Sequence, residues 1–421
     1  MEKTIGLLTT FANFDPGYSL TSVVRDQLTV LQKYGYKTVL FVLPSFMDDI
    51  LVPHGIEIRK VVPQIILEPY KELGYPDHWK EDVTKVVKSL NANFQDITHL
   101  ICHDIFFIDT YLPYNLALRD TLGTLQEMKI LAWTHSAPSE RPFLENNPHV
   151  NRYTLNDPRL TLVYLNHDKA LNLAEMYGGW LKDVRIVHNA RDLRTFLTLH
   201  PLVESLITKY DLCDADIVSV YPVSTPRMIS GKGLDKVIKL HSMFKKHGYK
   251  TRLIVPNAHA NASRDQRLIQ DTKIFASDRG ITHEELIFTS LEGEPEIGEN
   301  YILGVPPQVI SELFRIASIF IFPTVSENSS LVLLEAMLSG NLCVLNQAVG
   351  TLREHAGDRA LYFDFSYRPT EVENDRYYSD LARIVEVEFE NDRSLQLKRR
   401  ALQRHNYDFM FKKELEPLLY A

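Results

Sequence analysis

The stretch SIFIFPTVSENSSLVLLEAMLSG, residues 318–340, runs from an apolar segment through a polar turn into a second apolar segment. The β-branched and aromatic run Ser318–Phe322 predicts a buried strand. Ser329 or Ser330 is suited to cap the helix predicted over Leu331–Ser339. The first amides of a helix have no intrahelical acceptor, so they form a site for an anion. The stretch therefore predicts a strand–turn–helix unit with a phosphate site at the turn.

Two glutamates belong to this unit. Glu327 lies in the turn, and Glu335 lies eight residues further on, within the predicted helix. A carboxylate beside a bound phosphate is repulsive, so we expect both side chains to face hydroxyl groups, which donate to carboxylates. Ribose and sugar hydroxyls fit this chemistry. The alternative is a capped surface helix with two solvated glutamates.

Strand and helix patterns alternate on both sides of this unit. Short runs rich in β-branched residues are separated by amphipathic stretches, which is typical of βαβ units and a parallel sheet. The first half contains predicted strands at Thr4–Thr10, Thr38–Leu43, Ile56–Val62, His99–His103, Lys129–Thr134, Thr161–Leu165 and Arg185–His188. The second half contains predicted strands at Ile217–Tyr221, Thr251–Val255, Glu285–Phe288, Ser318–Phe322, Leu342–Asn346 and Ala360–Phe363. The pattern predicts an α/β protein with two doubly wound domains, which bind ligands beyond the carboxyl ends of their strands.

The positions where this alternation stops and restarts suggest the domain limits. At roughly 100–200 residues per domain, 421 residues are enough for two domains. We predict a first domain over 1–191 and a second over 216–392. Residues 192–215 show no strand pattern and are predicted to link the two. The tail, 393–421, reads as two helices with a break near His405 and Asn406.

A second loop carries two cations. In YPVSTPRMISGKGLD, residues 221–235, Arg227 and Lys232 stand five positions apart after a predicted strand. A diphosphate gains negative charge as its sugar departs, and two fixed cations stabilise that charge. Gly231 and Gly233 permit a close approach of the backbone. The alternative is a solvated loop.

Charge and cysteine content narrow the class of protein. The formal net charge is -8, whereas a nucleic-acid binder usually shows a basic surplus. The densest basic run is Lys398–Arg400, continued by Arg404, Lys412 and Lys413, and it indicates either a solvated helix surface or a peripheral membrane contact. Three widely spaced cysteines without a C-x-x-C pair favour reduced thiols. No secretory leader and no long apolar segment are evident in the sequence, so we expect a cytoplasmic protein without a spanning helix.

Taken together, these motifs resemble the large group of retaining, nucleotide-sugar-dependent glycosyltransferases with the GT-B fold, of the group 1 or family 4 type. That family's E-x7-E motif, commonly written E-G-F-G-L-x-x-x-E-A-M-A-x-G, is matched here by Glu327, Leu331, Glu335, Ala336, Met337 and Gly340. Its R-x4-K-G motif is matched by Arg227, Lys232 and Gly233. Its V-I-P-N-G-V-D hinge is similar to the segment containing Val187, Asn189 and Asp192.

The resemblance implies two Rossmann-like domains facing a central cleft, with a C-terminal helix at 407–421 crossing back to the first domain. It also implies transfer of a sugar from a nucleotide-diphosphate donor, with UDP or GDP expected, to a hydroxyl with retention of configuration. Since no Asp-x-Asp triplet follows a strand, no metal and no further cofactor are expected. By resemblance, Arg227 and Lys232 hold the diphosphate, Glu327 contacts the sugar and Glu335 binds the ribose.

The remaining site residues also come from the resemblance. Asn328, Ser329, Ser330 and Leu331 are expected to offer the donor backbone amides at the helix start. His135, in W-T-H-S, matches a strand-end histidine that approaches the transferring sugar. Gly17 matches the first loop, beside the donor phosphate.

This sequence departs from the family at two of these sites. The first loop has one glycine where members carry two, and the segment Glu327-Asn-Ser-Ser lacks both glycines and the phenylalanine of E-G-F-G. A nucleotide-sugar epimerase and a non-catalytic nucleotide-sugar-binding subunit are therefore alternatives. The acceptor stays open among glycans, lipids, small molecules and modified DNA. Leu67–His78 and Ser136–Tyr153 are candidate acceptor-side loops.

Overall fold

The computed structural model forms two compact units. The first unit contains both the beginning and the end of the chain, and the second contains the part between them. The structure describes residues 3–15, 17–73, 76–136, 157–293, 301–365 and 375–420, with the backbone alone at 71–73 and 109. One unit comprises Met1–Arg191 with Tyr407–Ala421, and the other comprises Asp192–Asn406.

The first unit is built on a parallel sheet of seven strands. These are β1 (Thr4–Leu8), β2 (Lys37–Phe41), β3 (Glu57–Arg59), β4 (His99–His103), β5 (Lys129–Thr134), β6 (Leu160–Tyr164) and β7 (Val184–Ile186). Their order is β3-β2-β1-β4-β5-β6-β7, and all pairs are parallel. The order reverses between β1 and β4, which makes the carboxyl ends of these two strands the topological switch point.

Four helices connect these strands: α1 (Ser19–Lys33), α2 (Trp79–Asn93), α3 (Leu112–Thr124) and α4 (Ala170–Met176). Helix α1 shows why the sequence folds this way. Leu20, Val24, Leu28 and Leu31 are buried, and their spacing of three or four residues places them on one face against the sheet.

The second unit is built on a parallel sheet of six strands, with a small two-stranded parallel sheet beside it. The strands in chain order are β8 (Ile217–Val220), β9 (Val223–Ser224), β10 (Thr251–Val255), β11 (Asn257–Ala258), β12 (Leu286–Phe288), β13 (Ile319–Phe322), β14 (Leu342–Asn346) and β15 (Leu361–Phe363). The large sheet has the order β12-β10-β8-β13-β14-β15, and β11 pairs with β9. This is the doubly wound order 3-2-1-4-5-6, with its switch point between β8 and β13. The prediction of two doubly wound α/β domains is confirmed.

Nine helices of the described chain belong to this unit. They are α5 (Leu193–Leu197), α6 (Pro201–Tyr210), α7 (Leu234–Lys246), α8 (Ser263–Ser277), α9 (Pro307–Ile316), α10 (Leu331–Leu338), α11 (Gly350–Ala356), α12 (Asp375–Asn391) and α13 (Arg393–Arg404).

The predicted linker, 192–215, belongs to the second unit instead. Its helix α6 begins at a proline, which suits the first helical position, and Nδ1 of His200 accepts the amide of Leu202 at 3.2 Å. Leu202, Val203 and Leu206 are buried in the core of that unit. The segment shows no strand pattern because it contains a short amphipathic helix.

The C-terminal tail divides between the units at the predicted break. Helix α13 ends at Arg404, and the chain continues in the first unit as α14 (Tyr407–Met410), a π-helical turn (Phe411–Leu415) and α15 (Glu416–Tyr420). Phe411 is fully buried and stacks on Tyr34, with ring centroids 4.1 Å apart. The return of the last helices to the first domain is thereby confirmed. No helix of the described chain is long and apolar enough to cross a membrane.

Candidate functional site

The two motifs singled out in the sequence meet at the switch point of the second unit. The loop after β8 carries Lys232, and the loop after β13 carries Glu327. Nζ of Lys232 lies 2.6 Å from Oε2 of Glu327, although the two residues are 95 positions apart. Ligands of doubly wound sheets bind at this place, so the strand order supports a ligand site here independently of any motif.

The backbone of the Lys232 loop is tightly folded. The carbonyl of Arg227 accepts the amides of Gly231 at 3.3 Å and Lys232 at 3.2 Å. Gly233 has a φ of +73°, and a Cβ there would lie 3.2 Å from Cγ of Pro323. Both the left-handed backbone and the crowding require glycine. The loop therefore packs directly against the end of β13.

Lys232 and Glu327 form a largely buried ion pair. Their side chains are 17% and 18% exposed, and Nζ of Lys232 also lies 5.4 Å from the ring centroid of Phe322. The hydroxyl of Tyr221 donates to the carbonyl of Lys232. The sequence led us to expect Glu327 to face a hydroxyl and Lys232 a phosphate. In the structure the two side chains face each other, so a phosphate that reaches Lys232 competes with the Glu327 carboxylate.

Arg227 is exposed at the end of a short 3-10 turn, Thr225–Arg227. Its guanidinium forms no ion pair with any described residue. The turn itself is fixed, because Oγ1 of Thr225 donates to the carbonyl of Ala258 at 2.8 Å. Helix α8 packs against the same turn. An exposed cation thus stands on a turn that is held by hydrogen bonds.

Asn257 holds this support and was not predicted from the sequence. It is fully buried, and Nδ2 donates to Oγ1 of Thr225 at 3.1 Å and to Oγ of Ser290 at 2.8 Å. The amide of Ser290 donates back to Oδ1 at 3.1 Å. The sequence feature that could have indicated Asn257 is an amide side chain two residues after the apolar strand Thr251–Val255, where a buried polar group needs partners.

The start of α10 is capped as the sequence suggests. Oγ of Ser330 accepts the amide of Leu333 at 3.2 Å, which confirms one of the two predicted caps. Asn328, Ser329 and Leu331 are exposed around it. The turn before the helix is held from strand β14, since Nδ2 of Asn346 donates to the carbonyl of Thr324 at 3.0 Å. The sequence analysis also missed Asn346.

Glu335 lies in the second turn of α10 and is partly buried. Its carboxylate accepts no hydrogen bond from a described residue, and burial raises the pKa of its carboxyl above the usual value. Hydroxyl groups that donate to this carboxylate would replace the hydration it has lost.

A cavity of about 630 Å³ opens within the second unit, next to the Asn257 contacts. Its walls combine apolar and polar side chains: Ile269, Leu291, Ile302, Gln266, Arg267 and Ser290. Ser290 is also a partner of Asn257, so two hydrogen bonds connect the cavity wall to the turn that carries Arg227.

The switch region of the first unit holds His135 just after β5. Nε2 of His135 lies 2.8 Å from Nδ1 of His103, the last residue of β4. Nε2 of His103 in turn lies 2.9 Å from Oε1 of Gln27, on α1. Burial lowers the pKa of His135 to about 4. The sequence analysis assigned no role to His103 or Gln27. The one sequence feature that could have indicated His103 is its place as a polar residue at the end of the strand His99–His103.

Asp104 fixes the backbone around His135. It has a φ of 57°, a conformation that aspartate tolerates better than most residues. Its Oδ1 accepts the amides of His135 at 2.7 Å and Ser136 at 3.3 Å. Burial raises the pKa of the Asp104 carboxyl.

The remaining predicted features differ in outcome. The amide of Gly17 donates to Oδ1 of Asp15 at 2.8 Å, so in this structure it closes a local turn. Of the two acceptor-side loops, 74–75 and 137–156 lie outside the described residues. No group of metal-ligating side chains is present in the described part of the chain.

Two cations of the predicted basic run are used inside the protein. Nζ of Lys398 donates to the carbonyl of Ala317 at 2.7 Å, and burial lowers its pKa to about 8. Arg399 pairs with Asp216 and with Glu390. Arg400 and Arg404 are exposed on helix α13.

No protein-family model matches the chain, and no curated protein matches it in sequence. A glycosyltransferase from Rickettsia africae is 13% identical, with 99% of this chain and 98% of that chain covered and a TM-score of 0.38. Anabaena HepE, solved in complex with UDP, is 15% identical, with 100% of both chains covered and a TM-score of 0.35. An α,α-trehalose-phosphate synthase (UDP-forming) from Burkholderia vietnamiensis is 14% identical, with 100% of both chains covered and a TM-score of 0.35. Because these sequence identities and TM-scores are low, the fold is assigned from the strand order and the candidate site is assigned from the chain's own residues.

Proposed function

We propose that this protein is a glycosyltransferase that moves a sugar from a nucleotide-diphosphate donor to an acceptor hydroxyl. The observation that carries the proposal is the convergence of the Arg227–Lys232 loop with the Glu327 turn and the capped start of α10. Cations, helix amides and carboxylates together match a diphosphate flanked by hydroxyl-bearing groups. The convergence occurs where doubly wound sheets bind nucleotides.

The ion pair suggests how the donor enters. The diphosphate takes the place of Glu327 beside Lys232, and Arg227 closes on it from the exposed turn. The released Glu327 carboxylate then accepts hydrogen bonds from sugar hydroxyls. When the bond between the sugar and the phosphate oxygen breaks, the two cations stabilise the charge on the departing diphosphate.

The nucleoside part of the donor fits the neighbouring features of the second unit. Glu335 is proposed to accept the ribose hydroxyls. The cavity of about 630 Å³ has room for a base, and its polar wall at Gln266 and Arg267 offers hydrogen-bond donors. We expect UDP or GDP as the nucleotide.

We further propose that the reaction retains the anomeric configuration. The acceptor oxygen forms its bond to the anomeric carbon on the face from which the diphosphate departs, and the acceptor proton passes to the departing phosphate oxygen. Positioning and leaving-group stabilisation are then the protein's contribution. Because Arg227 and Lys232 supply the positive charge, the proposed reaction needs no metal ion.

A panel of nucleotides and nucleotide sugars tests the proposal. The free energy of unfolding should rise by about 2.7 kcal/mol when the correct donor is present at ~100-fold its dissociation constant. Addition of acceptor should then release free nucleotide. A donor that binds without any nucleotide release would favour the non-catalytic subunit, while conversion of the donor sugar without an acceptor would favour the epimerase. If no UDP, GDP or ADP compound binds, the proposal fails.

A further inference from the structure

The first unit contains two histidine rings, the buried His103 and the partly buried His135, that are hydrogen-bonded directly to each other. Nδ1 of His103 lies 2.8 Å from Nε2 of His135, and Nε2 of His103 lies 2.9 Å from Oε1 of Gln27. The three side chains form a continuous chain of polar groups. Gln27 and His103 are 1% and 4% exposed, so solvent does not replace these partners.

Both rings are expected to be neutral near pH 7. Burial lowers the pKa of His103 well below its usual value, and that of His135 to about 4. The nearest carboxylate in the sequence, Asp104, uses Oδ1 for the backbone amides of His135 and Ser136. Within the described part of the chain, no carboxylate oxygen is hydrogen-bonded to either ring. The arrangement therefore differs from the carboxylate–histidine pairs that favour a charged imidazole.

The hydrogen-bond partners then determine which ring nitrogen of each histidine carries the proton. A neutral imidazole has one donor and one acceptor nitrogen. Since Oε1 of Gln27 only accepts, Nε2 of His103 carries the proton and Nδ1 of His103 accepts. Nε2 of His135 must then donate to that Nδ1. The Nδ1 atom of His135 is left with its lone pair.

The ring of His135 is also fixed in orientation. It lies parallel to the indole of Trp133, with an interplanar angle of 7° and centroids 6.3 Å apart. Its backbone is held through Asp104, whose amide donates to the carbonyl of Trp133 at 2.7 Å. A ring fixed in both plane and protonation presents one defined atom to a ligand.

We propose that His103 is a positioning residue which, together with Gln27, locks the tautomer of His135 so that Nδ1 of His135 accepts a hydrogen bond from a substrate hydroxyl. This inference rests on the proposed glycosyl transfer, whose substrates carry the hydroxyl groups in question. It assigns His135 the role of a neutral hydrogen-bond acceptor and makes it neither a proton-transfer base nor a cation.

The test uses the full chain with ¹⁵N-labelled histidine. Nitrogen chemical shifts distinguish a protonated from an unprotonated ring nitrogen, and the parent protein should show His135 with its proton on Nε2 and no titration between about pH 5.5 and 8. In His103→Leu, His135 should become a mixture of tautomers. In His103→Asn, the amide oxygen replaces Nδ1 as acceptor and should restore the parent tautomer. His99→Leu is the matched control, since His99 is a buried histidine of the same strand.

Activity provides a second readout, with UDP-glucose as the probe and nucleotide release as the signal. In His103→Leu, kcat should fall roughly 3- to 10-fold, the worth of one hydrogen bond, with an unchanged KM for the donor. His103→Asn should recover most of the loss. A single Nε2-protonated tautomer persisting in His103→Leu, or a parent His135 protonated on Nδ1, would overturn the inference. If the parent releases no nucleotide from any nucleotide sugar, the proposed function fails, whereas the nitrogen shifts still decide the role of His103.

Discussion

Replacing Lys232 with alanine probes the centre of the proposed site. The change removes one of the two cations proposed for the leaving diphosphate and leaves Glu327 without its partner. Removal of a single group that stabilises developing negative charge costs about 2.7–4 kcal/mol of transition-state stabilisation. We therefore expect kcat to fall by roughly 10²- to 10³-fold.

The same substitution should affect stability only moderately. Exposed ion pairs contribute about 0.2–1 kcal/mol, whereas breaking a fully buried pair costs about 3–5 kcal/mol. With side chains 17% and 18% exposed, the pair falls between these limits, and we expect a loss of about 1–2 kcal/mol. For a domain of roughly 200 residues, this corresponds to a decrease in Tm of about 2–8 °C.

The assay compares kcat at saturating donor with thermal unfolding of the same preparations. Lys245→Ala is the matched control, because Nζ of Lys245 also lies 2.6 Å from a glutamate, Glu285, in the second unit. The control should show a similar loss of stability with unchanged kcat. A second variant, Glu327→Gln, removes the competitor for Lys232 and should bind the bare nucleotide diphosphate more tightly while transferring sugar more slowly. Parent-like kcat in a folded Lys232→Ala protein would refute the assignment of Lys232 to the leaving group.

Three further substitutions test other parts of the site and the fold. Glu335→Ala should weaken binding of the bare nucleotide diphosphate roughly 10- to 150-fold by calorimetry, since charged hydrogen bonds contribute about 1.5–3 kcal/mol; equal affinity would remove the ribose assignment. Asn257→Ala leaves buried partners unsatisfied and should cost about 2–4 kcal/mol in urea unfolding, whereas the exposed Asn328→Ala should stay within about 0.5 kcal/mol of the parent. Lys398 has a folded-state pKa of about 8, below the usual 10.5. The unfolded state therefore binds more protons between these values, and the contribution of this lysine to stability rises with pH across that window. Lys398→Met should lose this rise in unfolding experiments between pH 8 and 10.5, and a parent-like pH slope would contradict the burial argument.

Arg227, which forms no ion pair with a described residue, and the paired cation Lys232 have different expected roles in this scheme. Arg227 stands exposed on a turn fixed by Thr225 and Asn257, so an incoming diphosphate does not displace a partner among the described residues. Lys232 must exchange one anion for another. Donor binding is therefore expected to depend more on Arg227, and the chemical step more on Lys232.

Much of the fold is decided locally and was visible in the sequence. The strands Lys129–Thr134 and Leu342–Asn346 were predicted at their observed limits, because apolar periodicity and turn residues act over a few neighbouring positions. The cap at Ser330 and the glycine at 233 likewise follow from local backbone chemistry.

The partners of the site residues were decided by the tertiary structure. Lys232 meets Glu327 across 95 positions, and Gln27 meets His103 across 76. Each of these contacts depends on the order in which the strands are placed in their sheet. The roles of Asn257 and Asn346 in holding the two turns could be recognised only in the structure, which shows that both side chains are buried and hydrogen-bonded. A sequence shows which residue types are suited to bind a diphosphate or a sugar, but hydrogen bonds and ion pairs form over about 3 Å in space. Only the packing of the sheets brings distant residues within that range.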